Sequence, residues 1–81
     1  MNKLEFFPVH LVGPRNHEGR ELNTVFAALA FMLETWPGNT GPRKEKAIET
    51  LKRAIVGEAS ADDARAALVL AAEEAEILAP G

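Results

Sequence analysis

Residues 24–42, TVFAALAFMLETWPGNTGP, decide how the rest of the chain is read. No charged residue occurs from Leu22 to Leu33. Val25, Leu29, Met32 and Trp36 recur at helical spacing, and so do Phe26, Ala30 and Leu33. The two sets lie on different sides, so the segment reads as a helix apolar nearly all round. Such a helix is expected to be buried on most faces, in a core or an interface. Asn23 or Thr24 suits the start, because a short side-chain oxygen accepts from the free N–H groups of the first turn. Pro37 ends it, since the residue before a proline is pushed out of helical geometry. The run is too short for a bilayer, which needs about 20 apolar residues.

On the N-terminal side, LEFFPVHLV at 4–12 reads as a strand, with Phe7, Val9 and Leu11 on one face and Phe6, Pro8, His10 and Val12 on the other. Pro8 has no N–H for a ladder. The strand is therefore expected at an edge, or with the nitrogen of Pro8 facing outward. A polar loop at 13–19 leads to a short returning strand at about 20–23, with Leu22 inward. A lone two-stranded hairpin is marginal in water, so it must lie on a helix or pair with a hairpin of another chain.

On the C-terminal side, Thr40 or Gly41 caps a second helix and Pro42 takes its first position, where no N–H is needed. Ala47, Ile48, Leu51, Ala54 and Ile55 form its apolar stripe, Glu49 and Arg53 stand four apart as an ion pair, and Gly57 ends it. Ser60-Ala61-Asp62-Asp63 has the form of a capping box for a third helix, whose inner stripe is Ala64, Ala67, Leu68, Ala71, Ala75 and Leu78. Alanine gives helix propensity and lets a neighbouring helix come close. The expected fold is α+β, one domain over residues 1–81. A two-stranded antiparallel β-hairpin at about 4–23 precedes helices at about 24–36, 42–56 and 60–78.

The 81 residues are 47% hydrophobic and 26% charged, which suits a globular chain. There is no cysteine, hence no disulfide and no thiolate chemistry. The first residues lack a basic segment followed by an apolar run, so no signal peptide is expected and the cytoplasm is the expected compartment. The net charge of −3 is unevenly spread. Residues 1–41 carry three basic and four acidic groups, residues 42–57 five and two, and residues 58–81 one and six. The second helix is therefore basic and the third acidic.

Several of these features occur together in one known family. They are Pro8, Val9 and Leu11 in the strand, then Leu33-Glu34-Thr35-Trp36-Pro37, a Gly-Pro helix start, a stripe ending at Gly57, and Ser60-Ala61-Asp62-Asp63-Ala64-Arg65. Over roughly residues 6–78 the chain resembles the domain of unknown function 982 family, small proteins found mainly in rhizobia and related bacteria. Its most specific pieces are Trp36-Pro37 and the run of Ser60, Ala64 and Arg65. The resemblance implies a hairpin followed by helices and brings no activity, substrate or catalytic residue. The family pattern often has a glycine after the late alanine, where this chain has Glu76.

Trp36, with Pro37 behind it, and Ser60 are the expected structural anchors, Trp36 filling the angle between helices and hairpin. The turn with Asn39, Thr40 and Gly41, followed by Arg43 and Lys44, is the candidate anion or partner site. A helix N-terminus with nearby cations suits an anion, while Arg43 and Lys44 oppose the helix dipole. No phosphate-loop or dinucleotide fingerprint is present. His10 and His17 lack the spacing of a metal site. With no cysteine, no tyrosine and one serine spent on a cap, nucleophilic catalysis has few candidates. The acidic third helix argues against nucleic acid, whose phosphates need Lys and Arg. The expectation is a non-enzymatic protein-interaction module without cofactor or metal. It is expected to form a homodimer through the apolar first helix or the hairpin edge and to contact another protein, not a membrane. A small anion or metabolite sensor at residues 38–44 is the alternative. As for stability, Ser60→Ala is expected to cost about 1 kcal/mol; a thermal melt without loss removes Ser60 as the cap.

Overall fold

Two strands, β1 (Glu5–Val12) and β2 (Gly19–Thr24), pair antiparallel and precede three helices, α1 (Val25–Glu34), α2 (Pro42–Ile55) and α3 (Ala61–Glu74). The coordinates are a computed structural model and describe residues 4–12, 19–36 and 41–79. The ladder runs in step from Val12↔Gly19 to Val9↔Leu22 and resumes only at Glu5↔Thr24. Phe6, Phe7 and Pro8 therefore stand opposite Asn23 alone, as a bulge. A bulge is where a residue without an N–H is tolerated. It also changes which side chains face inward. Phe6 is 7% exposed and shares the core with Val9 and Leu11, while Phe7 is 77% exposed. Strict alternation had placed Phe7 on one face with Val9 and Leu11 and Phe6 on the other; the extra residues exchange the two.

β1 lies on α3, β2 on α1, and α2 packs against both of those helices. The buried core takes Val25, Ala28 and Met32 from α1, Ala47, Leu51 and Ala54 from α2, and Ala64, Leu68, Ala71 and Ala72 from α3. Ile48, Ile55, Ala67 and Ala75, expected within the stripes, are half-buried at the margins. α1 is not buried on most faces in the single chain: Phe26 and Leu33 are 57% and 59% exposed.

The helix ends follow local chemistry. Ala27 N–H donates to Thr24 Oγ1 at 3.1 Å, which makes Thr24 the cap of α1. α1 stops at Glu34, two residues short of Trp36. Trp36 is half-buried, its ring edge-on to Phe31 at 5.8 Å, so this anchor sits at the rim of the core. Pro37 lies outside the described residues. Gly57, at φ +84, closes α2: its N–H donates to Ala54 O at 3.2 Å and that of Glu58 to Arg53 O at 2.7 Å. This is the six-to-one, five-to-two closure that favours glycine. Arg53 then pairs with Glu58 at 3.7 Å, where Glu49 was the expected partner. Ser60 and Asp63 form the full capping box of α3, with Asp63 N–H donating to Ser60 Oγ at 2.9 Å.

The largest departure from expectation is at the end of α3. The helix was expected to run to 78 and ends at Glu74. Glu76 sits at φ +61, and the same double closure forms: Glu76 N–H donates to Glu73 O at 3.1 Å and Ile77 N–H to Ala72 O at 3.0 Å. The chain then returns along β1. Val12 N–H donates to Ile77 O at 2.8 Å, Ala79 N–H donates to His10 O at 2.9 Å, and Leu78 bridges Leu11. β1 thus pairs with β2 along one side and is bridged on the other at residues 10–12 only, so in this two-stranded sheet the edge beside Pro8 has no strand partner. A non-glycine residue in the left-handed conformation of Glu76 costs about 1–2 kcal/mol. Glu76→Gly is expected to stabilise the fold by about 1 kcal/mol, raising Tm by roughly 4–8 °C in a domain of this size. A lowered Tm contradicts the closure.

Candidate functional site

The turn singled out from sequence is only partly described: Asn39 and Thr40 lie outside the described residues. Gly41 caps α2 without a side chain, Arg43 is exposed and Lys44 half-buried. A Cβ added at Gly41 would stand 2.8 Å from Glu74 Oε1, so the carboxylate of Glu74 lies against the start of α2. Glu45 adds a second carboxylate in the first turn. The anion preference of this helix end is met from within the chain. A further anion there meets Glu74 first.

Arg65 has a more definite role. Its Nε–H donates to Phe7 O at 2.8 Å, across 58 residues of sequence. Its guanidinium stands 5.8 Å from the centroid of the Phe7 ring. Phe7 lies in the bulge, where ladder pairing is broken, and the guanidinium supplies a donor there. α3 thus holds β1 at two places: by Arg65 at the bulge and by residues 77–79 beyond it. Sequence reasoning had placed Arg65 in the run after Ser60 without a role. The available signal was Pro8, which marks an interrupted ladder and therefore a carbonyl in need of a donor.

The other singled-out residues do not converge. His10 and Glu21 face each other across the ladder at 3.5 Å, both well exposed, a pairing worth little in water. His17 lies outside the described residues. Arg20 stacks on Phe31 at 5.0 Å, which in turn meets Trp36. Among the described residues no side chain with a polar or charged group is buried, and no group of three or more His, Cys, Asp or Glu is placed to hold a metal ion. No helix is long and apolar enough to cross a membrane.

The surface offers shallow features instead. An open groove of about 640 Å³ runs between α2 and α3, lined by Arg43, Lys46, Thr50, Arg53, Asp63 and Leu70 among others. A second hollow of about 500 Å³ lies on α2 at Ile48, Lys52 and Val56. On α1, Phe26, Ala30 and Leu33 are exposed.

The family model described as "Protein of unknown function (DUF982)" matches residues 7–79. The chain belongs to the DUF982 family. The match takes in the bulge, Arg65 and the returning segment, so the closure of β1 by α3 falls inside the family's span. Neither curated proteins nor solved structures give a match. In this member, Arg65→Met keeps most of the stem and removes the donor. It is expected to cost about 1 kcal/mol, as for an exposed charge-assisted hydrogen bond, and to shift the Phe7 and Pro8 resonances. A variant as stable as the parent, with those resonances unmoved, removes Arg65 from this role.

Proposed function

We propose that this chain is a non-enzymatic protein-interaction module that self-associates as a homodimer, working in the cytoplasm. The observation that carries the reading is the outer face of α1. Phe26 and Leu33 stand seven residues apart, two turns on one face, and both are more than half exposed. Ala30 lies between them, also exposed. No charge occurs on the helix until Glu34. An exposed, uncharged helix face with large residues at both ends and a small one between is complementary to itself when two copies run antiparallel. Phe26 of each copy then lies over Leu33 of the other. Parallel packing instead sets Glu34 against Glu34. Two-fold symmetry needs the same patch on both partners, and this patch satisfies that.

The hairpin adds less to the reading. β1 is paired with β2 on one edge and bridged at Leu11 by Leu78 on the other, β2 has no second strand partner among the described residues, and α3 and α1 pack on the two strands. Support for the reading therefore rests on α1. Burying a large apolar side chain contributes about 1.5–3 kcal/mol when it starts fully exposed, so four half-exposed ones set a modest affinity once association costs are met. The solution mass by sedimentation, at low micromolar and near-millimolar protein, is expected to reach that of a dimer. Phe26→Glu is expected to return it to a monomer without lowering Tm by much. A monomer at both concentrations overturns the proposal.

A further inference from the structure

The wall of the α2–α3 groove carries Arg43, Lys46, Thr50 and Arg53, spaced i, i+3, i+7 and i+10 on one face of α2. At 1.5 Å per residue the two arginines are about 15 Å apart along the helix. Arg43 and Lys46 have no ion pair among the described residues, and Arg53 has only Glu58 at 3.7 Å, with both side chains more than half exposed. Pairs of that kind are worth about 0–1 kcal/mol and are readily exchanged.

The outer face of α3 carries a matching pattern of opposite sign. Asp62, Ala66, Val69 and Glu73 are spaced i, i+4, i+7 and i+11. The two carboxylates are about 16.5 Å apart along the axis. Asp63 is engaged in the capping box and Glu74 lies against Gly41, but Asp62 and Glu73 are exposed and in no ion pair among the described residues. Within one chain the two stripes point to different sides: that of α2 lines the groove, while Asp62, Ala66 and Glu73 are all exposed outside it.

We infer that the basic groove wall of α2 docks the acidic outer stripe of α3 from a second copy. Set antiparallel, Arg43 meets Glu73 and Arg53 meets Asp62, while Lys46 and Thr50 lie over Val69 and Ala66. The small central residues let the helices approach, and Leu70, 46% exposed at the groove, is covered. Because the two stripes point to different sides of one chain, the contact is head-to-tail, with two cation–carboxylate pairs at each junction. A nucleic acid is a poorer occupant. Glu58 and Asp63 line the same groove between its cations, which disfavours a uniformly charged backbone, whereas the α3 stripe carries charge only at its two ends, opposite Arg43 and Arg53. This surface is separate from the α1 face and does not depend on it.

The test uses sedimentation of the full chain with two charge-reversed variants, Arg43→Glu/Arg53→Glu and Asp62→Arg/Glu73→Arg, each first shown to be folded by circular dichroism. In the wild type, a step up in mass that grows with concentration is expected at low salt and lost in 1 M salt, where the screening length falls to about 3 Å. Each variant alone is expected to lose that step, weakening it by about tenfold or more. An equimolar mixture of the two is expected to restore it, because each basic stripe then meets an acidic one. A wild type without a salt-sensitive step, a variant that associates like the wild type, or a mixture of folded variants that does not associate overturns the inference. Binding of a duplex oligonucleotide that is lost in Arg43→Glu/Arg53→Glu, with no self-association, overturns it in favour of nucleic acid. The step driven by α1 is read separately, since it withstands salt and is removed by Phe26→Glu. Either association can therefore fail while the other stands.

Discussion

β1 has hydrogen-bonding groups on two edges, and the rest of the fold is arranged to satisfy both. Buried backbone donors and acceptors left without partners cost about as much as lost hydrogen bonds. β2 takes one edge over residues 19–24. The other edge is served from α3, by the Arg65 guanidinium at Phe7 and by residues 77–79 at His10 and Val12. This arrangement explains why α3 ends at Glu74. A longer helix would carry residues 77–79 away from the sheet and leave that edge of β1 open. The closure places Glu76 in a left-handed conformation, and the burial of Ile77 together with two strand hydrogen bonds offsets that cost.

The same economy shapes the surface. Six of the buried core residues are alanines: Ala28, Ala47, Ala54, Ala64, Ala71 and Ala72. Small side chains bring the helices close, so little room remains inside for large ones. Phe26, Leu33, Val56 and Leu70 are left outside. A chain of this length buries only about 60% of its unfolded surface, and what it cannot bury is available to other molecules. The charge is divided between helices in the same way: α2 is basic and α3 acidic, and among the described residues the ion pairs are His10–Glu21 and Arg53–Glu58.

Much of this was legible from residue types and spacing. The order of elements, Thr24 and Ser60 as caps, Pro42 at the first position of α2, Gly57 at its end and Leu22 inward all follow from local rules, and the structure has them. These are features in which the deciding partner lies within about four residues. Pro8 announced that the ladder of β1 would be interrupted but not how, because a bulge and an outward-facing nitrogen satisfy a missing donor equally well. The departure of Glu76 from a glycine marked the place where α3 stops, without saying that the chain would turn back there. The residues of the turn at Asn39 and Thr40 lie outside the described residues, and the neighbour of Gly41 is Glu74, 33 positions on.

By itself, then, the amino-acid sequence determined the helices, their caps and the sign of charge on each, because these depend on short-range steric and hydrogen-bonding preferences. Tertiary structure alone decided that Phe6 rather than Phe7 enters the core, that Arg65 serves the bulge and that residues 77–79 turn back to bridge β1. The first depends on the bulge against β2, and the other two on partners some 58 to 69 residues away. The deciding energy is that of a backbone group finding, or failing to find, a hydrogen bond across the fold, and no local pattern encodes it.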